Sequence, residues 1–447
     1  IKSQPSHSYL IFLLITALPL YYGSYKYRTR HPYGSSQEPI RKSIGDFVTD
    51  WLDTHVVVPF NPYPIAAYCK RTTWRPTLVF NLANANGGIG NVRGNVLDFL
   101  FFAIEAGASI MLPGMAQRND GDLSDVWARR ANFDEFFDEK WFLEIMEEAC
   151  PQMQIYKVQE GQEVKAALPD YYRPRSRRMD EDFGNNRIAY LKDLESWLQI
   201  RGVIDDKSKG LTLVNIERSL WDIDTRSLPH GLRRNFGHLL RTNTTIRQLA
   251  ALIMQNLSLQ HALKIDPTHP IPKDAFYAAH LRTESDAQNA GWLTESNTNF
   301  TAQTTSYIAH ATANKLNILY VATGNASDLA RFHSIAASQH PPLTVVSKHD
   351  LLPPSELTTL NSLTWDQQAL VDYEVLQRSS VFGGFVKSSF SYNVAMTRNQ
   401  WVEDEGLAIE PMRVQHSEEG VAFDDGWSRV VGRDGFHEGR IPRGMWP

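Results

Sequence analysis

Hydrophobic residues along the second half of the chain follow two alternating rhythms. Short apolar runs rich in β-formers at 275–281, 317–322, 343–346 and 381–385 are separated by stretches with helical spacing at 304–314, 327–338, 364–379 and 388–398. Strands that alternate with helices in this way predict a parallel sheet covered on both faces. The first half opens on the same motif. Thr77 to Asn81 is a β-rich run, and Asn86-Gly87-Gly88-Ile89-Gly90-Asn91 is a turn that few residues other than Gly and Asn can make. Val92 to Ala106 then carries Val96, Phe99, Leu100, Ala103 and Ile104 at the spacing of one helical face, and Ser109 to Leu112 supplies a second strand. A helix that starts straight after such a turn presents free N–H groups, which attract phosphate or another anion.

Beyond this βαβ unit the pattern predicts a helical region over 123–149, strands at 154–158 and 211–216, and a helix over 244–263. Packing begins near Ile44, with Phe47, Val48, Trp51, Leu52 and Val56 to Val58. Three prolines within 265–273 mark a linker between halves. The expected domains are therefore 46–265 and 274–400, facing each other across a cleft, with 401–447 as a C-terminal extension. Residues 171–178, Tyr-Tyr-Arg-Pro-Arg-Ser-Arg-Arg, form a basic run followed by acidic residues. It reads either as a solvated loop whose charges neutralise one another or as an acceptor-binding loop.

The N-terminus adds a compartment. Tyr9 to Tyr22 is uncharged and apolar, and residues 24–45 are basic, Gly/Ser/Pro-bearing and almost free of aliphatics. A run of roughly 15 residues is shorter than the ~20 that usually span a bilayer. We read 9–23 as an uncleaved signal anchor, in preference to a cleaved signal peptide, and 24–45 as a stem. This places the rest of the chain in the lumen of the secretory pathway, at the Golgi or endoplasmic reticulum membrane. Asn243, Asn256, Asn299 and Asn325 all lie in Asn-x-Ser/Thr acceptor sites, in keeping with that compartment.

Composition narrows the classes further. With 447 residues, 42% of them hydrophobic and 21% charged, the chain can build a large core, and a net charge of -5 argues against nucleic acid as a partner. Its only cysteines, Cys69 and Cys150, cannot make a disulfide framework or a cysteine zinc cluster. They form either one bridge in an oxidising compartment or two separate buried thiols.

Four segments carry candidate chemistry. Gly88, Gly90 and Gly94 miss the G-x-G-x-x-G spacing, and Leu112 is followed by Pro113-Gly114 where a ribose-binding acid would stand, so a dehydrogenase is disfavoured. The loop is then a site wall or a ligand-free turn. His280-Leu281-Arg282 ends a strand, and Glu284 and Asp286 follow, which sets a guanidinium and two carboxylates where open α/β sheets bind ligands. Arg282 either clamps a diphosphate or serves as a structural partner of Asp286. Ser388, Ser389 and Ser391 stand at a helix start, as phosphate donors or as simple N-caps. Tyr320 to Asn325 is a strand entering a turn.

In this order, GGIGN, HLRTESD, ILYVATG and SSFS resemble the GDP-fucose protein O-fucosyltransferase superfamily, as a divergent fungal-type member, over roughly residues 76–400. The resemblance implies a GT-B-like fold of two Rossmann-like domains and inverting transfer of fucose from GDP-fucose to a protein or glycan hydroxyl, with no cofactor and no metal. It places Asn91 near the reacting centre, with Gly88 and Gly90 in the loop and Arg93 as a second candidate beside them. It sets Arg282 on the diphosphate, with Asp286 supporting the site, and Ser388, Ser389 and Phe390 on phosphate and base; His280, at the same strand end, is a further substrate-binding candidate. Glu284 is the candidate base, because Asn91 can orient a hydroxyl but cannot take its proton. Many relatives carry an acid after the I-Y-x-A-T strand, where this chain has Gly324-Asn325. Another nucleotide sugar as donor and a silent lectin-like or scaffold protein are the alternatives.

Overall fold

The computed structural model describes residues 46–54, 60–82, 85–157, 168, 170–178, 186–203, 210–404, 420–433, 441 and 443–447. The expected anchor and stem, and Val56 to Val58, lie outside the described residues. Among the described residues no helix is long and apolar enough to cross a membrane.

The first half contains β1 (Arg75–Asn81), β2 (Ala108–Met111), β3 (Met115–Gln117), β4 (Arg129–Ala131), β5 (Ile155–Tyr156), β6 (Tyr171–Tyr172) and β7 (Thr212–Ile216). Five of these form one sheet in the order β5-β2-β1-β7-β6, with every pair parallel, and β3 and β4 make a separate antiparallel hairpin. The second half supplies β8 (Tyr277–His280), β9 (Ile318–Ala322), β10 (Thr344–Val346), β11 (Val381–Phe385), β12 (Val421–Asp424) and β13 (Ser428–Val431). Their order is β10-β9-β8-β11-β13-β12, parallel except for β12. The fold is thus α/β with two largely parallel sheets, both within one compact unit, Asp46–Pro447.

In each sheet the chain runs outward from a central strand and then returns to that strand's other side. The reversal falls between β1 and β7 in the first sheet and between β8 and β11 in the second. At such a point the two crossovers leave on opposite sides, which opens a crevice at the carboxyl ends of the strands. Gly88 follows β1, Arg282 follows β8 and Ser388 follows β11, so the candidate segments emerge from both reversals.

The helix Ile89–Ala106 departs most from its sequence pattern. Of its 18 residues 17 are buried, so it is enclosed all round instead of on one face. Its polar positions reach specific partners: Asn95 donates to Ser219 O at 2.7 Å, Asp98 accepts from Trp446 Nε1 at 2.8 Å, and Glu105 is ion-paired with Arg177 at 2.6 Å. Asn91 alone is not buried. The helix ends at Gly107, where a positive φ and a Cβ position only 2.0 Å from Thr73 O both demand glycine.

Three other expectations change. Region 123–149 is not one helix: it contains β4, a short helix Phe133–Phe136 and the helix Glu139–Ala149, which Asp138 restarts by accepting from Trp141 N at 3.0 Å. The basic run is only partly solvated, since Arg177 and Arg178 turn inward to the buried carboxylates of Glu105 and Asp222. The segment after Trp401 is no mere extension. Its Asp-Asp-Gly turn folds β12 back on β13, which adds to the second sheet beside β11, and Trp446 packs with its ring centroid 4.5 Å from that of Phe236.

Cys69 and Cys150 form a disulfide, which fastens the helix Tyr63–Lys70 to the end of Glu139–Ala149. Both residues are fully buried. Cross-linking positions 81 residues apart restricts the unfolded chain, an effect typically worth about 2–4 kcal/mol. Cys69→Ser is therefore expected to lower the unfolding midpoint by several degrees in non-reducing buffer. A variant that melts with the parent would show that the bridge contributes nothing to stability.

Candidate functional site

The glycine turn is shaped by two constraints. Gly87 has φ +98°, a left-handed conformation that favours glycine. Gly90 touches the other half directly: a Cβ there would lie 2.8 Å from Phe390 N, Ser389 C and Ser389 Oγ. With that approach allowed, Ser389 Oγ donates to Asn91 Oδ1 at 2.5 Å, which links residues 298 apart in sequence. The start of the buried helix is thereby set against the start of the helix Ser389–Asp404.

From β8 comes His280, whose Nδ1 lies 2.7 Å from Ser391 Oγ and whose ring centroid is 4.7 Å from that of Phe390. Burial pushes its pKa down to about 4, and the Arg282 charge works in the same direction against an opposing pull from Glu284, so the imidazole is neutral at ordinary pH. Arg282 donates through Nη1 to Glu284 Oε2 at 2.5 Å and through Nη2 to Asp286 Oδ2 at 2.6 Å. Glu284 Oε1 in turn accepts from Gly324 N at 2.8 Å and lies 3.2 Å from Thr323 Oγ1. Burial works to raise the Glu284 pKa, but Arg282, His280 and the Gly324 N–H outweigh it and hold the carboxyl at about 2. A carboxylate so committed is a poor proton acceptor, which argues against Glu284 as the base. Its evident work is to lock the guanidinium and close the end of β9.

Gly324 and Asn325 stand where an acid was expected in relatives. A Cβ on Gly324 would fall 1.4 Å from Trp365 Cη2, so the indole covers this strand end and leaves no room for a side chain. Asn325 caps the helix Ala326–Ala337. Its Nδ2 donates to both Thr283 O and Asp328 Oδ2.

Gly88, Gly90 and Asn91 from the first half and His280, Arg282, Glu284, Ser388, Ser389 and Phe390 from the second line one cavity of about 450 Å³. Asp286 stands behind Arg282. Arg93 does not join them. Its guanidinium donates to the backbone oxygens of Gly237, Trp446 and Pro447, so it holds the tail against the helix Ile89–Ala106. The expectation that Arg93 binds substrate is corrected accordingly.

Sequence reasoning missed Arg118, which lies between Gln117 of β3 and the loop to β4. It lines the cavity, donates from Nη1 to Asp286 Oδ2 at 3.1 Å, and its main-chain N–H donates to Asp366 Oδ2 at 3.0 Å. No motif surrounds it, and only the folded hairpin brings it over the glycine turn. Lys348 was missed too; it also lines the cavity and is ion-paired with the buried Asp372 at 2.6 Å, which Tyr320 also contacts.

Two largely parallel sheets whose reversal points, two helix starts and two arginines meet at one cavity fit an α/β glycosyltransferase. The chain belongs to the O-FucT family, GDP-fucose protein O-fucosyltransferase: a sequence model of that family matches residues 78–400. A search of curated proteins gave no match. Among solved structures the chain is similar to POFUT1 in complex with GDP-fucose, with TM-score 0.41 and 14% identity over 74% of this chain and 95% of that one. It is also similar to the fucosyltransferase NodZ from Bradyrhizobium, with TM-score 0.37 and 12% identity over 72% of this chain and 93% of that one.

Because both amide hydrogens of Asn325 are in use beside the cleft, we expect this acceptor site to be unmodified. Glycopeptide mapping of protein made in a secretory host should find Asn325 unoccupied, and high occupancy there would contradict the placement of the cleft.

Proposed function

We propose that the chain transfers fucose from GDP-fucose to a hydroxyl of a protein or glycan acceptor, with inversion at the sugar carbon. The observation that carries this reading is the meeting of Asn91 with Ser389 beside Arg282 in one cavity. Glycosyl transfer breaks the bond from the sugar carbon to the diphosphate oxygen, whose electron pair leaves with GDP, while the acceptor oxygen bonds to that carbon and its proton passes to an oxygen of the departing diphosphate. That charge needs fixed positive partners in a site with little water. Arg282 is held rigidly by two carboxylates and keeps further N–H groups for a ligand. The start of the helix Ser389–Asp404 adds main-chain donors and the hydroxyls of Ser388 and Ser389.

Asn91 is the one residue of the helix Ile89–Ala106 that is not buried, and its Oδ1 already accepts from a hydroxyl. An acceptor hydroxyl presented to that oxygen is oriented for attack, while the amide takes no proton. Phe390 offers an aromatic face to the base or sugar. The guanidinium groups supply the positive charge in this reading, which includes no metal and no cofactor.

The buried Cys69–Cys150 bridge supports a location in the oxidising secretory pathway. The lumenal Golgi or endoplasmic reticulum placement, with membrane attachment through the N-terminal apolar run, belongs to the same proposal.

Thermal-shift titration separates the donors. GDP and GDP-fucose should raise the unfolding midpoint, since a ligand at about 100 times its Kd stabilises by about 2.7 kcal/mol. UDP- and ADP-sugars should not. Stabilisation by another nucleotide would point to a different donor, and none by any would favour a silent scaffold. Arg282→Ala should lose GDP stabilisation and lower kcat about 10²–10³-fold. Arg282→Lys keeps the charge without the fork and should recover part of it. Unchanged activity in both would remove Arg282 from the mechanism.

A further inference from the structure

Arg118 and Arg282 share one carboxylate oxygen. Arg118 Nη1 is 3.1 Å and Arg282 Nη2 2.6 Å from Asp286 Oδ2, and the two arginines come from opposite halves of the protein. On its other side Arg118 Nε is 3.9 Å from Asp366 Oδ1, too far for a hydrogen bond, and this buried nitrogen has no hydrogen-bond partner. Nη2 lies over the glycine turn, where a Cβ on Gly88 would be only 2.6 Å away. The Arg118 side chain is 13% exposed.

A guanidinium this enclosed ordinarily spends its five donors. Arg118 spends one of its side-chain donors on a hydrogen bond and aims the other end at the space above Gly88. The row Asp366, Arg118, Asp286, Arg282 and Glu284 alternates in sign, with three carboxylates against two guanidiniums. Nothing in that row satisfies the remaining N–H groups, whereas a multiply charged anion with several oxygens in the adjoining cavity would.

We propose that Arg118 is a second contact for the donor's diphosphate, supplied by the first half, so that the donor bridges guanidiniums from both halves. Asp286 holds the two cations side by side until the anion arrives. Gly88 is bare because the Arg118 guanidinium occupies the room a side chain would need. The proposal rests on the reading of the cleft as the donor site.

The test is calorimetric titration of GDP and GMP into the wild-type chain, Arg118→Gln and Arg118→Lys. In the wild type the second phosphate should strengthen binding, so that Kd(GMP)/Kd(GDP) is well above one. Arg118→Gln is expected to weaken GDP binding about 10–100-fold, as loss of a charge-assisted contact does, with GMP affected much less, so the ratio collapses. Arg118→Lys should fall between the two. It carries the test alone if the glutamine variant does not fold. GDP affinity within twofold of wild type, or equal losses for GDP and GMP, would overturn the proposal and leave the donor site standing. No GDP binding by the folded wild type would overturn both.

Discussion

The close approach of Gly90 to Ser389 and Phe390 is the contact on which the site depends. It is a meeting of main chains, with no space for one added carbon, and it comes from the two halves of the sequence. The hydrogen bond between Ser389 and Asn91 follows from it. So does the geometry of the cleft, because the helix Ile89–Ala106 is buried along its whole length and passes its position on to the one residue that surfaces. Such a helix cannot shift without disturbing Asn95, Asp98 and Glu105, whose buried partners fix its rotation and depth.

Electrostatics completes what packing begins. Taking an arginine out of water is costly unless it is paired, and the same pairing fixes where its remaining donors point. Arg282 meets both conditions through Glu284 and Asp286, and Glu284 meets its own through Gly324 and Arg282. The result is a cation set before any ligand arrives, which is what stabilising a departing diphosphate requires. A neutral His280 beside it adds no competing charge.

Much of this was legible in the sequence, for identifiable reasons. Strands and helices of the second half alternate cleanly, so β11 is found at its predicted limits and β9 differs by one residue. The glycine turn was legible because few other residues adopt its conformation. What escaped depends on tertiary contact. Arg93 lies on the same helix as Asn91, yet its partners are backbone oxygens at Gly237 and in the tail, which no local pattern announces. Arg118 reaches the cavity only because β3 and β4 fold as a hairpin, and β4 lies in a region, 123–149, that read as helical. Strands β12 and β13 are short, and their place is set by the free edge of β11.

The central claim is that the cavity between the two sheets holds the nucleotide, with its diphosphate at Arg282 and the reacting carbon toward Asn91. The most direct measurement is a crystal structure of the chain with GDP bound. The account predicts phosphate oxygens within hydrogen-bonding distance of the Arg282 guanidinium and of the start of the helix Ser389–Asp404, with the terminal phosphate facing Asn91. GDP bound outside this cavity, or inside it with no phosphate contact to Arg282, would contradict the account.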